Sequence, residues 1–241
     1  MNDTIFKAAA LIIPMIIAIV FHEVAHGWTA KLLGDDTAEK QGRLTLNPIK
    51  HIDLFGTIIL PGILRLAGMP VFGFAKPVPV DKWRLRNPKR DMMLVAAAGP
   101  LSNLIMGLIG AVMLGFYSPP EVVNASSIEE FRVLFAAHGP VSEFVGLSLL
   151  FFILLNVSLA IFNLLPIPPF DGGHIVEGLL PDSLAQRYGQ LHRYALLVMI
   201  LLLVVLPMAI PSLNVLNWLV GPPVDYLIGH YMNVVDAIST R

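Results

Sequence analysis

Residues 8–30 read AAALIIPMIIAIVFHEVAHGWTA, and the only ionisable side chains in these 23 residues are His22, Glu23 and His26. About 20 consecutive apolar residues are enough for a helix to span a bilayer, so the stretch predicts a membrane helix that Pro14 would kink. Ionisable groups are costly inside a membrane and usually serve a function there. The stretch therefore predicts a functional site carried on a membrane-spanning helix.

The three ionisable residues form the pattern H-E-x-x-H. Residues four apart share one face of a helix, so His22 and His26 could bind the same metal ion. Glu23 lies beside them and is placed to accept a proton from an attacking water, as in zinc hydrolases of the peptidase type. The alternative is a helix with two buried histidines and no metal, which the cost of burying ionisable groups in a membrane disfavours.

The composition indicates a membrane protein without thiol chemistry. Of the 241 residues, 56% are hydrophobic and 14% are charged, whereas soluble domains average about 25% charged residues. The net charge of −1 gives no indication of nucleic-acid binding, and every metal ligand must be His, Asp or Glu because there is no cysteine. The N-terminus lacks the basic region of a signal peptide, so we expect the first helix to be retained.

Three further segments are apolar enough to be membrane helices. Met92–Tyr117 and Phe144–Phe170 carry no charge, and Tyr194–Ile210 is the fourth candidate span of the chain. The tail to Arg241 could form a fifth helix, tilted in the membrane or peripheral to it. We therefore predict an all-α polytopic membrane protein with about 4–6 membrane helices. Residues 1–241 are expected to form one membrane-embedded domain with a catalytic core at about 5–180 and C-terminal helices at 194–232.

The segment between the first two predicted spans is basic. Eleven of the 16 Lys and Arg residues lie in 31–91, so the positive-inside rule places this loop in the cytoplasm. Within it, Ile58–Leu66 is apolar but too short to span, which favours a re-entrant or interfacial segment. Val71–Val80 is β-prone and predicts a strand or hairpin lying against the membrane, with an irregular proline-rich loop as the alternative.

A third metal ligand is expected near the end of the third predicted span. The sequence there is NLLPIPPFDGGH, residues 163–174, and its prolines cannot continue a helix. Asp171 follows at the end predicted to be cytoplasmic, the side to which His22 and His26 also point. It is the best candidate, giving two histidines and one aspartate. The weaker competitors are Asp53, Asp91 and Glu177, and Asp171-Gly172-Gly173 could also be a simple turn.

Asn103 is a polar residue inside the second predicted span. A buried asparagine can hydrogen-bond one membrane helix to another, or it can belong to a functional site. Both interpretations remain open from the residues alone.

The chain resembles the site-2 protease family of intramembrane zinc metalloproteases, over roughly residues 5–180. The motifs that carry the resemblance are Phe21–Gly27, Gly99–Asn103 and Asn163–Pro168 with Asp171-Gly172, and Asn47-Pro48 and Lys76–Val80 resemble the compact bacterial branch. Many relatives have a PDZ or CBS domain, and we expect none in these 241 residues.

The resemblance implies one Zn²⁺ per chain, held by His22, His26 and Asp171, with Glu23 as the general base. It also implies substrate binding, and the candidate residues for this are Asn163, Asn103, Lys76, Val78 and Val80. In an extended strand the N–H groups of residues 76, 78 and 80 share one edge, which would pair with an unwound substrate. Pro77 and Pro79 remove donors from the opposite edge.

The predicted function is regulated intramembrane proteolysis of transmembrane or membrane-anchored peptides, in a bacterial cell membrane with the active site toward the cytoplasm. The predicted partners are this substrate and the lipid bilayer, without nucleic acid, and a homo-oligomer is left open. Three alternatives remain at this point: a membrane metal-ion transporter or sensor using the same ligands, a non-catalytic scaffold, and a different membrane metalloprotease with Glu177 as third ligand.

Overall fold

The computed structural model describes residues 3–66, 68, 73–119, 127–209 and 215–240, and the regular structure in them is entirely helical. The α-helices are α1 (Asp3–Leu32), α2 (Thr37–Lys40), α3 (Leu60–Leu66), α4 (Pro88–Tyr117), α5 (Ile128–Ala136), α6 (Pro140–Asn163), α7 (Asp171–Leu179), α8 (Asp182–Gly189), α9 (Ala195–Ile200), α10 (Leu206–Ala209) and α11 (Val215–Ser239). Two 3₁₀ helices, Pro48–His51 and Gln190–Tyr194, and two π-helical turns, Leu54–Ile59 and Leu201–Val205, connect them.

Among the described residues, three helices are long and apolar enough to cross a membrane, namely α1, α4 and α6. They correspond to the first three predicted spans and indicate an integral membrane protein. Helix α4 begins earlier than predicted, with Pro88 in its first turn, where a proline is well tolerated. Helix α6 ends at Asn163 because the three prolines that follow cannot continue it.

The predicted fourth and fifth spans are not among these three helices. The helical run from Ala195 to Ala209 extends about 22 Å at 1.5 Å per residue, which is shorter than the roughly 30 Å hydrocarbon layer. Residue 210 lies outside the described residues. Helix α11 has 25 residues but carries Asp225, His230 and Asp236 and is not apolar enough. The described chain thus has fewer candidate spans than the 4–6 predicted.

The chain divides into two compact units, the first comprising Met1–Ala18, Asn103–Ala160 and Pro223–Arg241. Aromatic and small residues join the helices of this unit. Phe6 packs edge-to-face on Phe144, with ring centroids 5.6 Å apart, and the Tyr231 hydroxyl donates to the carbonyl of Leu104 at 2.8 Å. Gly146 of α6 is covered by the ring of Phe135, so a larger residue there would collide with α5.

The second unit comprises Ile19–Ser102 and Ile161–Pro222 and contains the H-E-x-x-H segment, the basic loop and α7. Buried Ala30, Leu85 and Val95 form an apolar cluster in it. Asp35 is fully buried, and its carboxylate accepts the N–H groups of Thr37 at 3.0 Å and Asp81 at 2.7 Å. This buried carboxylate therefore joins the end of α1 to the far end of the basic loop.

The predicted β element is absent from the described residues of the basic loop. Residues 73–80 form neither strand nor helix, and Val71 and Phe72 lie outside the described residues. The physical reason is the loss of ladder donors: Pro77 and Pro79 have no N–H, and the N–H of Lys76 donates to the His51 carbonyl at 2.9 Å. The short apolar segment Ile58–Leu66 lies within a helical run from Leu54 to Leu66, and its re-entrant or interfacial position stays a prediction.

Candidate active site and metal centre

Helix α1 brings His22 and His26 together on one face, as their spacing predicts. Their Nε2 atoms lie 3.1 Å apart, and their side chains are only 7% and 12% exposed. Nδ1 of His26 donates to the carbonyl of Val95 on α4 at 2.7 Å. In a neutral imidazole this leaves Nε2 with its lone pair, the form that binds a metal.

Asp171 is the first residue of α7 and lies directly against the two histidines. Its Oδ2 is 3.2 Å from Nε2 of His22, and its Oδ1 is 3.4 Å from Nε2 of His26. Burial opposes ionisation, but the two adjacent histidines hold the pKa of the Asp171 carboxyl below its usual range. Asp171 therefore carries the negative charge that a metal ligand requires.

Two glycines explain how Asp171 reaches this position. A Cβ on Gly172 would collide with the carbonyl oxygens of Leu164 and Leu165, and one on Gly173 would lie 3.1 Å from the backbone nitrogen of Pro168. The start of α7 therefore packs against the proline-rich segment closely enough that only glycine fits. The Asp-Gly-Gly sequence, for which a simple turn was the alternative, here begins a helix.

The three side chains fit a zinc ion. At Zn–N and Zn–O distances of about 2.0–2.2 Å, tetrahedral ligands lie roughly 3.3–3.5 Å from one another. The two Nε2 atoms are 3.1 Å apart, and each lies at a similar distance from one carboxylate oxygen of Asp171, 3.2 Å to Oδ2 for His22 and 3.4 Å to Oδ1 for His26. Oδ2 of Asp171 is buried and has no hydrogen-bond partner among the described residues. A Cβ on Gly99 of α4 would collide with the imidazole of His26, so the space beside the rings depends on this glycine.

Glu23 is held by a backbone group from the basic loop. Its Oε2 accepts the N–H of Val78 at 2.8 Å. Arg43, itself buried, donates to the carbonyls of Lys76 at 2.8 Å and Pro77 at 3.3 Å. The segment that was predicted to pair with substrate therefore lies against the predicted general base, and Arg43 binds two of its carbonyls.

This arrangement bears on the predicted substrate-binding edge of Lys76, Val78 and Val80. The Lys76 N–H donates to the His51 carbonyl and the Val78 N–H to Glu23, so two of the three donors have partners within the protein. In this conformation those two donors are not available to a substrate strand. The role of the edge in substrate binding stays a prediction.

The two predicted asparagines lie in different surroundings. Asn103 is fully buried, and its Nδ2 donates to Oδ1 of Asn156 at 2.8 Å and to the carbonyl of Ala18 at 3.1 Å. These bonds have the form expected for contacts between membrane helices. Asn163 is the last residue of α6 and is half-buried. The substrate-binding role of both residues remains a prediction.

The competing acidic residues have other contacts. Asp53 accepts the N–H of Gly56 at 2.7 Å, and Asp91 accepts the N–H of Asn87 at 2.8 Å, so each caps a helical segment. Glu177 lies in a separate cluster with two other histidines. The role of Val78 as a donor to Glu23 had no signal in the sequence, because it depends on a contact across 55 residues.

Two histidines and an aspartate that converge on one point, with a glutamate following the first histidine, define a zinc-hydrolase type of site on a membrane helix. The sequence profile described as Peptidase family M50 matches residues 10–206. The chain therefore belongs to this family, the site-2 protease family of zinc metalloproteases, and is a peptide hydrolase. Family membership implies zinc and peptide substrates. It therefore favours a peptidase over the metal transporter and the non-catalytic scaffold.

Individual relatives agree with the family assignment. YwhC of Bacillus subtilis, named as a candidate zinc metalloprotease, is 40% identical over 194 residues, which cover 80% of each chain. Rip2 of Mycolicibacterium smegmatis, named in the same way, is 28% identical over 83% of this chain and 66% of its own. The zinc metalloprotease MJ0392 of Methanocaldococcus jannaschii is 25% identical over 92% of this chain and 48% of its own. No solved structure matches the chain significantly.

Proposed function

We propose that this protein is an intramembrane zinc endopeptidase that cleaves transmembrane or membrane-anchored substrates. The observation that carries the proposal is the position of His22, Glu23 and His26 inside α1, a helix of 30 residues that is long and apolar enough to cross a membrane. A peptide bond must come to membrane depth to meet these side chains. A substrate that already lies in the bilayer satisfies this requirement directly.

The chemistry follows from the residues of the site. Zinc held by His22, His26 and Asp171 would supply a Lewis acid that polarises the scissile carbonyl and activates water near neutral pH. Glu23 accepts the proton of the attacking water and passes it to the leaving amine. The Val78 N–H, at 2.8 Å from Oε2, fixes the orientation of the Glu23 carboxylate for this transfer.

The substrate has to be unwound locally, because the carbonyls of a spanning helix are locked in hydrogen bonds four residues apart. An apolar cleft of about 340 Å³ lies beside the motif. It is lined by one face of α1 and the start of the basic loop, comprising Phe21, Val24, Ala25, Trp28, Leu44, Thr45 and Leu46, together with Ser102. This volume falls within the range of ligand pockets, about 300–1,000 Å³, and suits the apolar side chains of a membrane segment.

The proposed location is a bacterial cell membrane with the active site toward the cytoplasm. The bacterial relatives support the first part, and the eleven basic residues of 31–91 support the second through the positive-inside rule. The chain has no cysteine, so an exposed Arg86→Cys substitution gives a single reporter. We expect it to be shielded from a membrane-impermeant thiol reagent in intact cells and Ser127→Cys to be labelled; the reverse pattern would invert the orientation.

The test of intramembrane cleavage compares cells that contain the wild-type protein with cells that contain Glu23→Gln. This substitution removes the base but no metal ligand, so we expect zinc to stay bound and hydrolysis to stop. Membrane peptide mass spectrometry should then show an intact spanning segment that accumulates with Glu23→Gln and is cut in the wild type.

The matched control is Glu39→Gln, which changes an exposed carboxylate in an ion pair with Lys31. It should leave the membrane peptides as in the wild type. Cleavage products that map only to segments outside the bilayer would contradict the proposal while leaving the protein a metallopeptidase.

A further inference from the structure

A second group of histidine and glutamate side chains lies on α7, beyond the residues of the active site. His174 and Glu177 are three residues apart on this helix, and His192 comes from the 3₁₀ helix Gln190–Tyr194. Nδ1 of His174 lies 3.6 Å from Oε2 of Glu177, and Nε2 of His192 lies 3.3 Å from the same oxygen. The three donors therefore converge in the way that Asp171, His22 and His26 do.

We propose that His174, Glu177 and His192 form a second metal site that binds Zn²⁺. Two imidazoles and one carboxylate are a ligand set that zinc uses in proteins, and the roughly 3.3–3.5 Å expected between tetrahedral ligands is close to the observed 3.3 and 3.6 Å. Imidazole nitrogens favour zinc and its neighbours in the transition series over Mg²⁺ or Ca²⁺. This site does not depend on the proposed cleavage of membrane substrates.

The orientation of His192 favours a shared ion over a simple pair with Glu177. Its Nε2 is shielded from solvent and makes no hydrogen bond within the described part of the chain, although Oε2 of Glu177 is 3.3 Å away. The two atoms are close without being aligned for a hydrogen bond. That geometry is expected when both point toward a third atom.

The ring of His174 also lies against the ring of His192. The two rings stack with centroids 4.3 Å apart and an angle of 20° between their planes. Both imidazoles are therefore next to each other and next to Glu177, as two ligands of one ion would be.

The local fold brings the three residues together and leaves them accessible. Gly189 at the end of helix α8 lies close to Glu177: a Cβ on this glycine would be only 3.2 Å from Oε1 of Glu177, so the glycine permits the close approach. The side chains are 31%, 28% and 26% exposed for His174, Glu177 and His192. Solvent can therefore complete the coordination, and the metal can exchange.

A metal at this site would act on the active site through α7. Asp171 begins that helix and His174 is three residues further on, so one rigid element carries a ligand of each site. Binding at the second site would fasten α7 to the segment Gln190–Tyr194. The expected consequence is that zinc stabilises the position of α7 even when the first site is disabled.

The test counts zinc per chain in purified protein in detergent, after removal of metal and equilibration with buffered free Zn²⁺. We expect two zinc ions in the wild type, one in His192→Ala, one in His22→Ala and none in the variant with both substitutions. His230→Ala, which alters an exposed histidine of α11, is the matched control and should keep two. Glu177→Gln keeps the side-chain volume and should also lose one ion, which guards against a folding defect in His192→Ala.

The outcomes separate this site from the active site. A wild-type protein with one zinc that is lost in His22→Ala and retained in His192→Ala overturns the second site. One zinc that is lost in His192→Ala and retained in His22→Ala would support the second site and overturn the proposed active-site ligands. Addition of Zn²⁺ should raise the melting temperature of His22→Ala but not that of the double variant.

Discussion

Each compact unit contains one cluster of polar side chains in its interior, and the two clusters differ in how their donors and acceptors are paired. In the first unit, the side-chain amide of Asn103 donates to Oδ1 of Asn156 at 2.8 Å. In the second unit, the ligand atoms of His22, His26 and Asp171 lie 3.1–3.4 Å apart, and Oδ2 of Asp171 has no hydrogen-bond partner among the described residues.

The difference follows from the donors and acceptors of each group. A carboxamide carries both, so two asparagines can satisfy each other inside a bilayer. An ionised carboxylate only accepts, and His26 uses its Nδ1 donor on the Val95 carbonyl, so its Nε2 is also an acceptor. A convergent set of acceptors needs a cation. Buried polar residues with this imbalance indicate a binding site, whereas a balanced pair indicates a structural contact.

The largest effect is expected from Asp171→Ala, which removes one member of the cluster formed by His22, His26 and Asp171. Loss of a residue that hydrogen-bonds to a metal ligand commonly lowers metal affinity or activity by about 10–100-fold. Loss of the ligand itself should therefore lower hydrolysis by more than about 100-fold. Zinc per chain, measured by mass spectrometry at limiting free zinc, should fall by one. The exposed Asp182→Ala on α8 is the control and should change neither value. Full retention of zinc in Asp171→Ala would place the third ligand elsewhere.

A smaller effect is expected from Val78→Pro, which removes the N–H that donates to Glu23. Hydrogen bonds to charged groups contribute about 1.5–3 kcal/mol, so hydrolysis should fall roughly 10-fold or more while zinc is retained. The control Val78→Ala keeps the N–H and removes only the buried side chain.

The substrate used in this test separates two roles of Val78. If the N–H orients Glu23, a short soluble peptide and a spanning substrate should lose activity to the same extent. If it pairs with an unwound substrate strand, as the sequence suggested, only cleavage of the spanning substrate should fall. A drop in melting temperature equal to that of Val78→Ala would be due to the side chain and not to the lost donor.

The sequence was most informative where structure depends on local spacing. His22 and His26 are one helical turn apart, and ionisable residues stand out in an apolar segment, so the site on α1 could be predicted. Asp171 could be proposed because prolines end α6 just before it. These inferences need only helix geometry and the cost of burying charge.

The remaining features depend on contacts between distant residues. The hydrogen bond from Val78 to Glu23 spans 55 residues, and the Lys76 N–H donates to the His51 carbonyl, so two of the three predicted edge donors have partners within the protein. A β-prone composition could not reveal either contact, so the β element was wrong for the described residues. The cluster around Glu177 has a signal in the i,i+3 spacing of His174 and Glu177, but His192 joins it through a tertiary contact that its spacing does not predict.

The smallest effect is expected from the balanced pair in the first unit. Asn103→Leu removes the donor to Asn156, whose own amide donates to the carbonyl of Phe152 at 2.8 Å, and Asn156→Leu removes the acceptor. Hydrogen bonds between membrane helices contribute on the order of 1 kcal/mol, so each variant should lower the unfolding free energy by about that amount.

A double-mutant cycle decides whether the Asn103–Asn156 contact is structural. Unfolding by detergent titration of both single variants and the double variant should give a coupling energy of about 0.5–2 kcal/mol. The reason is that either single substitution already breaks the contact between the two side chains. Zinc per chain and cleavage of a soluble peptide should stay at wild-type values, since the pair has no part in metal binding. Asn103→Leu could instead reduce cleavage of a spanning substrate with no loss of stability. That result would show that Asn103 acts on the substrate, which is the second of the two roles considered for it in the sequence analysis.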